Sequence, residues 1–140
     1  MDIIVAGPKG GKVDVGLQAY VHLAVRSFAK QLGISKLKTV IKIRIHQNLT
    51  IDNGDAEGLC EALSPRHFII DVALFGNWIS TLAHEMVHVK QFALGELSPN
   101  LTKWKSRNNV SNIEYWDQPW EKEARRLQYR LVESFCTEGE

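Results

Sequence analysis

The stretch that most constrains this chain runs from Trp78 to Leu94 and contains His84-Glu85-Met86-Val87-His88. At about 100° per residue, Trp78, Ile79, Leu82, Ala83, Met86, Val89 and Ala93 fill a wide apolar arc, which predicts a mostly buried helix. Thr81, His84, His88 and Gln91 fall together on the remaining side. A solvated face normally carries Lys, Glu and Arg, and this one carries almost none. Residues four apart share one face of a helix, so both imidazoles can reach one metal ion. Glu85 then stands beside any water on that ion and can take its proton. Zinc suits imidazole nitrogens, and a catalytic zinc site takes three protein ligands and leaves one position open.

The rest of the composition narrows the function classes. At 140 residues the chain is expected to be one domain, residues 1–140, with 44% hydrophobic and 24% charged residues supporting an ordinary core. A net charge of +1 points to neither nucleic acid nor membrane as a partner. Cys60 and Cys136 are far apart and read as free thiols in a reducing compartment. The N-terminal Met1–Pro8 stretch lacks a signal-peptide pattern, and no apolar run approaches a membrane span, so a cytoplasmic protein is expected.

Along the chain, Gly7–Gly11 reads as a loop without a phosphate-loop pattern. Asp14 is expected to cap a helix to about Leu32, with the stripe Leu17, Tyr20, Val21, Ala24, Val25, Phe28 and Leu32, and with Gly33 as its stop. His22 lies beside that stripe as a surface or half-buried residue. Thr39–His46 alternates apolar and charged and predicts a strand. Asn48–Gly58 reads as a turn region; Asp52, Asn53 and Asp55 do not have the spacing of a calcium loop. Leu59–Leu63 and His67–Val72 predict two more strands around a Ser64-Pro65-Arg66 turn, with His46 and His67 in ordinary sheet or surface roles. Asn77 is expected to cap the histidine helix, and Gly95 to follow its end. Ser98–Asp117 has little periodicity; its Lys103, Lys105 and Arg107 cluster beside Trp104 and Trp116 reads as a solvated loop with one anchoring tryptophan. A loop this long in a small domain is commonly functional. Pro119 starts a final helix, with Asp117 or Gln118 as cap and the stripe Trp120, Ala124, Leu127, Leu131 and Phe135. Short strands followed by helices make an α+β layer.

Two histidines need a third ligand, and Glu114, Asp117, Glu121 and Glu123 are the downstream candidates. With Trp120 at zero, the apolar stripe centres at about 25°, Glu121 at about 100° and Glu123 at about 300°, so both flank it. Gln128 and Val132 continue the Glu121 side. The segments His84–Gln91 and Tyr115–Ala124 together resemble the small phage- and prophage-type SprT-like metallopeptidases, of the gluzincin style, across roughly Phe68 to Leu127. The resemblance implies a minimal zincin-like fold: a small three-stranded sheet packed with an N-terminal helix, the His-Glu-x-x-His helix and a C-terminal ligand-bearing helix. It implies a zinc metallopeptidase, phage-encoded and in the host cytoplasm if so, acting on peptide or protein. Glu121-Lys122-Glu123-Ala124 matches the family's Glu-x-x-Ala pattern, which implies His84, His88 and Glu121 as zinc ligands and Glu85 as general base. Arg125 stands where the family often has Asp, so support of the histidines is expected from another residue. Tyr115 is implied as the oxyanion donor, and the sheet edge as a peptide-binding strand. The alternative is a catalytically weak zinc-binding regulatory module of the same fold; Glu85 distinguishes the two, because a structural site does not need it. A protease acting near DNA is disfavoured by the near-neutral charge.

Overall fold

A computed structural model describes residues 1–47 and 57–138. The chain is a mixed α+β structure. Strand β1 (Asp2–Ala6) leads through a 3-10 turn at Pro8–Gly10 into helix α1 (Val15–Gln31), and the chain returns as β2 (Val40–His46). Strands β3 (Gly58–Ser64) and β4 (His67–Ala73) precede helix α2 (Trp78–Ala93). A two-residue hairpin of β5 (Lys103–Trp104) and β6 (Arg107–Asn108) and a 3-10 turn at Tyr115–Asp117 lead to helix α3 (Pro119–Thr137).

The main sheet has four strands in the order β1-β2-β4-β3. This corrects the three-stranded expectation: Asp2–Ala6 is short and shows no apolar–polar alternation, and only pairing with β2 makes it a strand. β1 runs parallel to β2 and β2 parallel to β4, while β3 is antiparallel to β4 and forms one edge. The parallel β1–β2 pair needs a crossover, which α1 supplies. The β3–β4 pair needs only the tight turn at Pro65-Arg66, where the Ser64 hydroxyl accepts from the Arg66 amide at 3.3 Å. The calcium-like Asp52, Asn53 and Asp55 lie outside the described residues.

Helix boundaries follow local chemistry. The Asp14 carboxylate accepts from the Leu17 amide at 3.1 Å and starts α1. Gly33 and Gly95 take left-handed φ of 77° and 72° just past α1 and α2. Asn77 and Gln118 occupy the caps of α2 and α3 without side-chain capping bonds.

Ile41, Ile43 and Ile45 of β2 and Phe68, Ile70 and Val72 of β4 are fully buried, as are Val21, Val25 and Phe28 of α1 and Leu82 and Met86 of α2. Each such side chain contributes about 1.5–3 kcal/mol on burial. The other face of β2 is less polar in its setting than its sequence suggests. His46 and Asp71 are buried there, and Asp71 holds the Arg44 guanidinium through two bonds of 2.7 and 2.8 Å. His67 is exposed and His22 half-buried.

A second, smaller core comprises Leu97, Trp104, Val110 and Trp120. It supplies the one anchoring tryptophan expected of Ser98–Asp117, and adds Leu97, Val110 and Trp120 to the anchor. Trp104 is buried with its ring centroid 6.2 Å from that of Trp120, whereas Trp116 is exposed. Few residues carry this packing, which is why no periodicity announces it.

Candidate metal centre

Helices α2 and α3 pack against one another, with Trp120, Ala124 and Leu131 of α3 buried in the contact region. That packing turns the polar side of α2 toward α3 rather than toward solvent. His88 is 7% exposed and Gln91 is fully buried.

Glu121 lies across from both histidines. Its Oε1 is 2.9 Å from His84 Nε2 and its Oε2 3.2 Å from His88 Nε2. One ligand atom from each of the three residues lies within 4.8 Å of the others. The two short separations run to different oxygens of the one carboxylate, and the three groups are close enough together to share a single cation. Glu123, two residues on, faces away from the imidazoles. Its carboxylate accepts from Lys90 Nζ at 3.0 Å and from Gln91 Nε2 at 3.1 Å. Among the other candidates, Glu114 and Asp117 are exposed and do not join the cluster.

The far nitrogens of the two rings decide which nitrogens face Glu121 as acceptors. His88 Nδ1 meets Gln91 Oε1 at 2.8 Å, and Gln91 Nε2 donates to the Trp120 carbonyl at 2.9 Å as well as to Glu123. These donations fix the orientation of the Gln91 amide, so its oxygen must accept from the His88 Nδ1–H. His84 Nδ1 meets the Gln128 side chain at 2.7 Å. In a neutral His88 ring the Nε2 lone pair therefore aims at a carboxylate that is itself only an acceptor. Two arrangements relieve that conflict: protons on the imidazoles, or a shared cation. The donor set fits a divalent ion held by two imidazoles and one carboxylate.

The electrostatics agree. Burial disfavours charge on Glu121, but His84 and His88 outweigh it and hold its carboxyl well below the usual range. Burial also disfavours a charge on His88, yet Glu121, Glu85 and the Gln91 bond raise its pKa to about 9. The pocket thus favours positive charge between these groups.

Glu85 is buried beside the triad, and its pKa is raised chiefly by burial, against the attraction of His88 and His84. Tyr115 donates to Glu121 Oε1 at 3.2 Å. Burial and the Glu121 charge push its phenol up to about 12, so it remains a donor. The 3-10 turn that carries it is tied to α3, because Arg125 stacks 4.1 Å from the Trp116 ring centroid and donates to the Trp116 carbonyl at 2.6 Å.

These groups line a cavity of about 440 Å³, with Gly58, Cys60, Leu97 and Gln118 among its other walls. The Cys60 thiol is held protonated by burial and by the nearby Glu85 and Glu61 charges; Cys60 and Cys136 are both free thiols. Gly58 is needed for the approach of β3 to α2. A Cβ there would lie 2.5 Å from the Thr81 methyl and 3.0 Å from Glu85 Oε2.

Three contributors were not assigned roles from sequence: Gly58, which looked like a turn residue, and Gln91 and Gln128. The signals for the glutamines were present. Gln91 shares the histidine side of α2, and Gln128 lies two turns beyond Glu121 on the same side of α3. No protein-family model, curated protein or solved structure matches this chain.

Proposed function

We propose that this chain is a zinc-dependent metallopeptidase with a zincin-like site, in which His84, His88 and Glu121 hold the metal. The observation that carries the reading is the convergence of two imidazole Nε2 atoms on one carboxylate, with each Nδ1 hydrogen-bonded to a glutamine side chain and an additional buried carboxylate, Glu85, alongside. Zinc, when bound, supplies a Lewis acid that makes water nucleophilic near neutral pH and polarises the scissile carbonyl.

The chain's own residues do the rest. Glu85 takes the proton from the attacking water and delivers it to the leaving amine; its raised pKa suits both steps. Tyr115 offers a protonated phenol to the developing oxyanion. Among the described residues β3 is an edge strand beside the cleft, and it would offer backbone groups to an extended peptide. No helix among the described residues is long and apolar enough to cross a membrane.

The deciding experiment pairs metal analysis with digestion of a peptide library by wild type and Glu85→Gln. The expected result is one zinc per chain in both, with cleavage reduced about 10²–10⁴-fold in the variant. Equal behaviour of the two proteins would leave a metal-binding regulatory module and remove the enzyme.

A further inference from the structure

A second cavity, of about 320 Å³, adjoins the first along the same strand. One face of β3 walls both: Gly58 and Cys60 line the first, Ala62 and Ser64 the second. Phe92 and Leu97 belong to both linings and form the partition between them. An extended chain advances about 3.3 Å per residue, so a peptide lying along β3 past the metal centre reaches the second cavity about two to four residues from the bond being cut.

The chemistry of the second cavity is lopsided. Its floor is apolar, from Ala62, Phe92 and Leu97, and its charged residues are Glu96, Lys103 and Lys105. Glu96 shares the Lys90 ammonium with Glu123, at 2.7 and 3.0 Å, so its charge is partly offset and the two free lysines leave the cavity positive on balance. Among the described residues neither Lys103 nor Lys105 has an ion-pair partner. Lys105 is also held in place: it adopts a left-handed φ of 53°, its amide donates to the Glu96 carbonyl at 2.6 Å, and its ammonium lies 5.0 Å from the Trp104 ring centroid. A left-handed non-glycine residue is kept only where the surroundings hold it, and a restrained lysine loses less entropy on binding a partner.

We propose that this cavity is a subsite for an acidic side chain of the substrate, glutamate above all, with Lys103 and Lys105 as its counter-charges. The two methylenes of a glutamate cover the apolar floor while its carboxylate meets the lysines at the rim. The proposal rests on the peptidase reading for its place in catalysis, but the charge preference is a binding property that exists without it.

The test is a degenerate decapeptide library digested by the zinc-loaded protein, with sequencing of the products. Glu and Asp should be enriched about three- to ten-fold at one position two to four residues from the cut, the range expected of a partly exposed ion pair or two. The enrichment should fall in 0.5 M salt. In the double variant K103E/K105E that position should switch to Lys and Arg while preferences elsewhere stay unchanged. In parallel, the same library is passed over immobilised Glu85→Gln protein, with and without K103E/K105E. Retention of acidic peptides that depends on the two lysines supports the subsite even where nothing is cut, and absence of cutting then counts against the enzyme reading alone. A profile without acidic enrichment, or one unchanged by the charge reversal in both formats, overturns the subsite.

Discussion

The α2–α3 helix pair and the 97–118 segment that walls the cleft reach the same candidate site by opposite means. The helix pair presents His84, His88 and Glu121 from regular elements whose buried faces fix their separation, and Gln91 and Gln128 lock the rings from behind. The wall segment has only two-residue strands and a 3-10 turn. It is held by Leu97, Trp104 and Val110 packed on Trp120, and by Arg125 gripping the turn that carries Tyr115. The difference teaches a division of labour. On the proposed function, ligand geometry that must hold to a few tenths of an ångström would be built on packed helices, and substrate contacts on an anchored loop that tolerates variation.

That division predicts that changes in the helix pair act on metal and changes in the wall act on turnover. The sharpest contrast is Glu121→Ala against Glu123→Ala. The first should lower zinc affinity by more than the ~100-fold upper range seen when only an outer partner is removed. The second, which leaves Lys90 paired with Glu96, should lower it far less. Metal titration against a chelator reads both, and the reverse order would exchange the roles of the two glutamates.

Tyr115→Phe belongs to the wall and should reduce kcat about 100-fold with stoichiometric zinc retained. A variant that loses metal instead would break the comparison, since Tyr115 would then be holding Glu121 in place through their 3.2 Å bond. Gln91→Leu and Gln128→Leu belong to the helix pair. Each should weaken zinc binding by about 10–100-fold, because the imidazole nitrogen it now meets is left without its partner. Unchanged affinity in both would mean that the rings are oriented by packing alone.

The smallest effect on activity is expected at Asp71, remote from both regions. Burial raises its pKa, but the bonds from Arg44 and His46 outweigh burial and leave it lowered. A carboxyl with a depressed native pKa contributes stability at pH values above its unfolded pKa of about 3.9, and loses it as pH falls through the native value. Asp71→Asn should therefore cost about 2 kcal/mol at pH 7, with the gap to wild type closing below about pH 4 in denaturant titrations. A gap independent of pH would assign the loss to packing.

Much of the scaffold was legible because its periodicities are long. α1 and α2 announced themselves over four turns; Thr39–His46 is legible by its alternation and His67–Val72 by its apolar content, each within one residue of the observed strand. Asp2–Ala6 was not legible, since four successive apolar residues after Asp2 show no alternation and become a strand only when β2 lies beside them. Nor was the second core, whose members Leu97, Trp104, Val110 and Trp120 have no common repeat.

The sequence by itself determined that two imidazoles and a glutamate share one turn-spaced stretch of a mostly buried helix, because helical spacing is a local property of the backbone. It left Glu121 and Glu123 on either flank of an apolar stripe. Tertiary packing broke that tie: the seating of Trp120 and Ala124 against α2 rotates α3 so that one carboxylate meets the imidazoles and the other meets Lys90. The same packing brought Gly58 against Glu85 and placed Lys103 and Lys105 beside the far end of β3. These are contacts between distant parts of the chain, and no local pattern encodes the angle at which two helices cross.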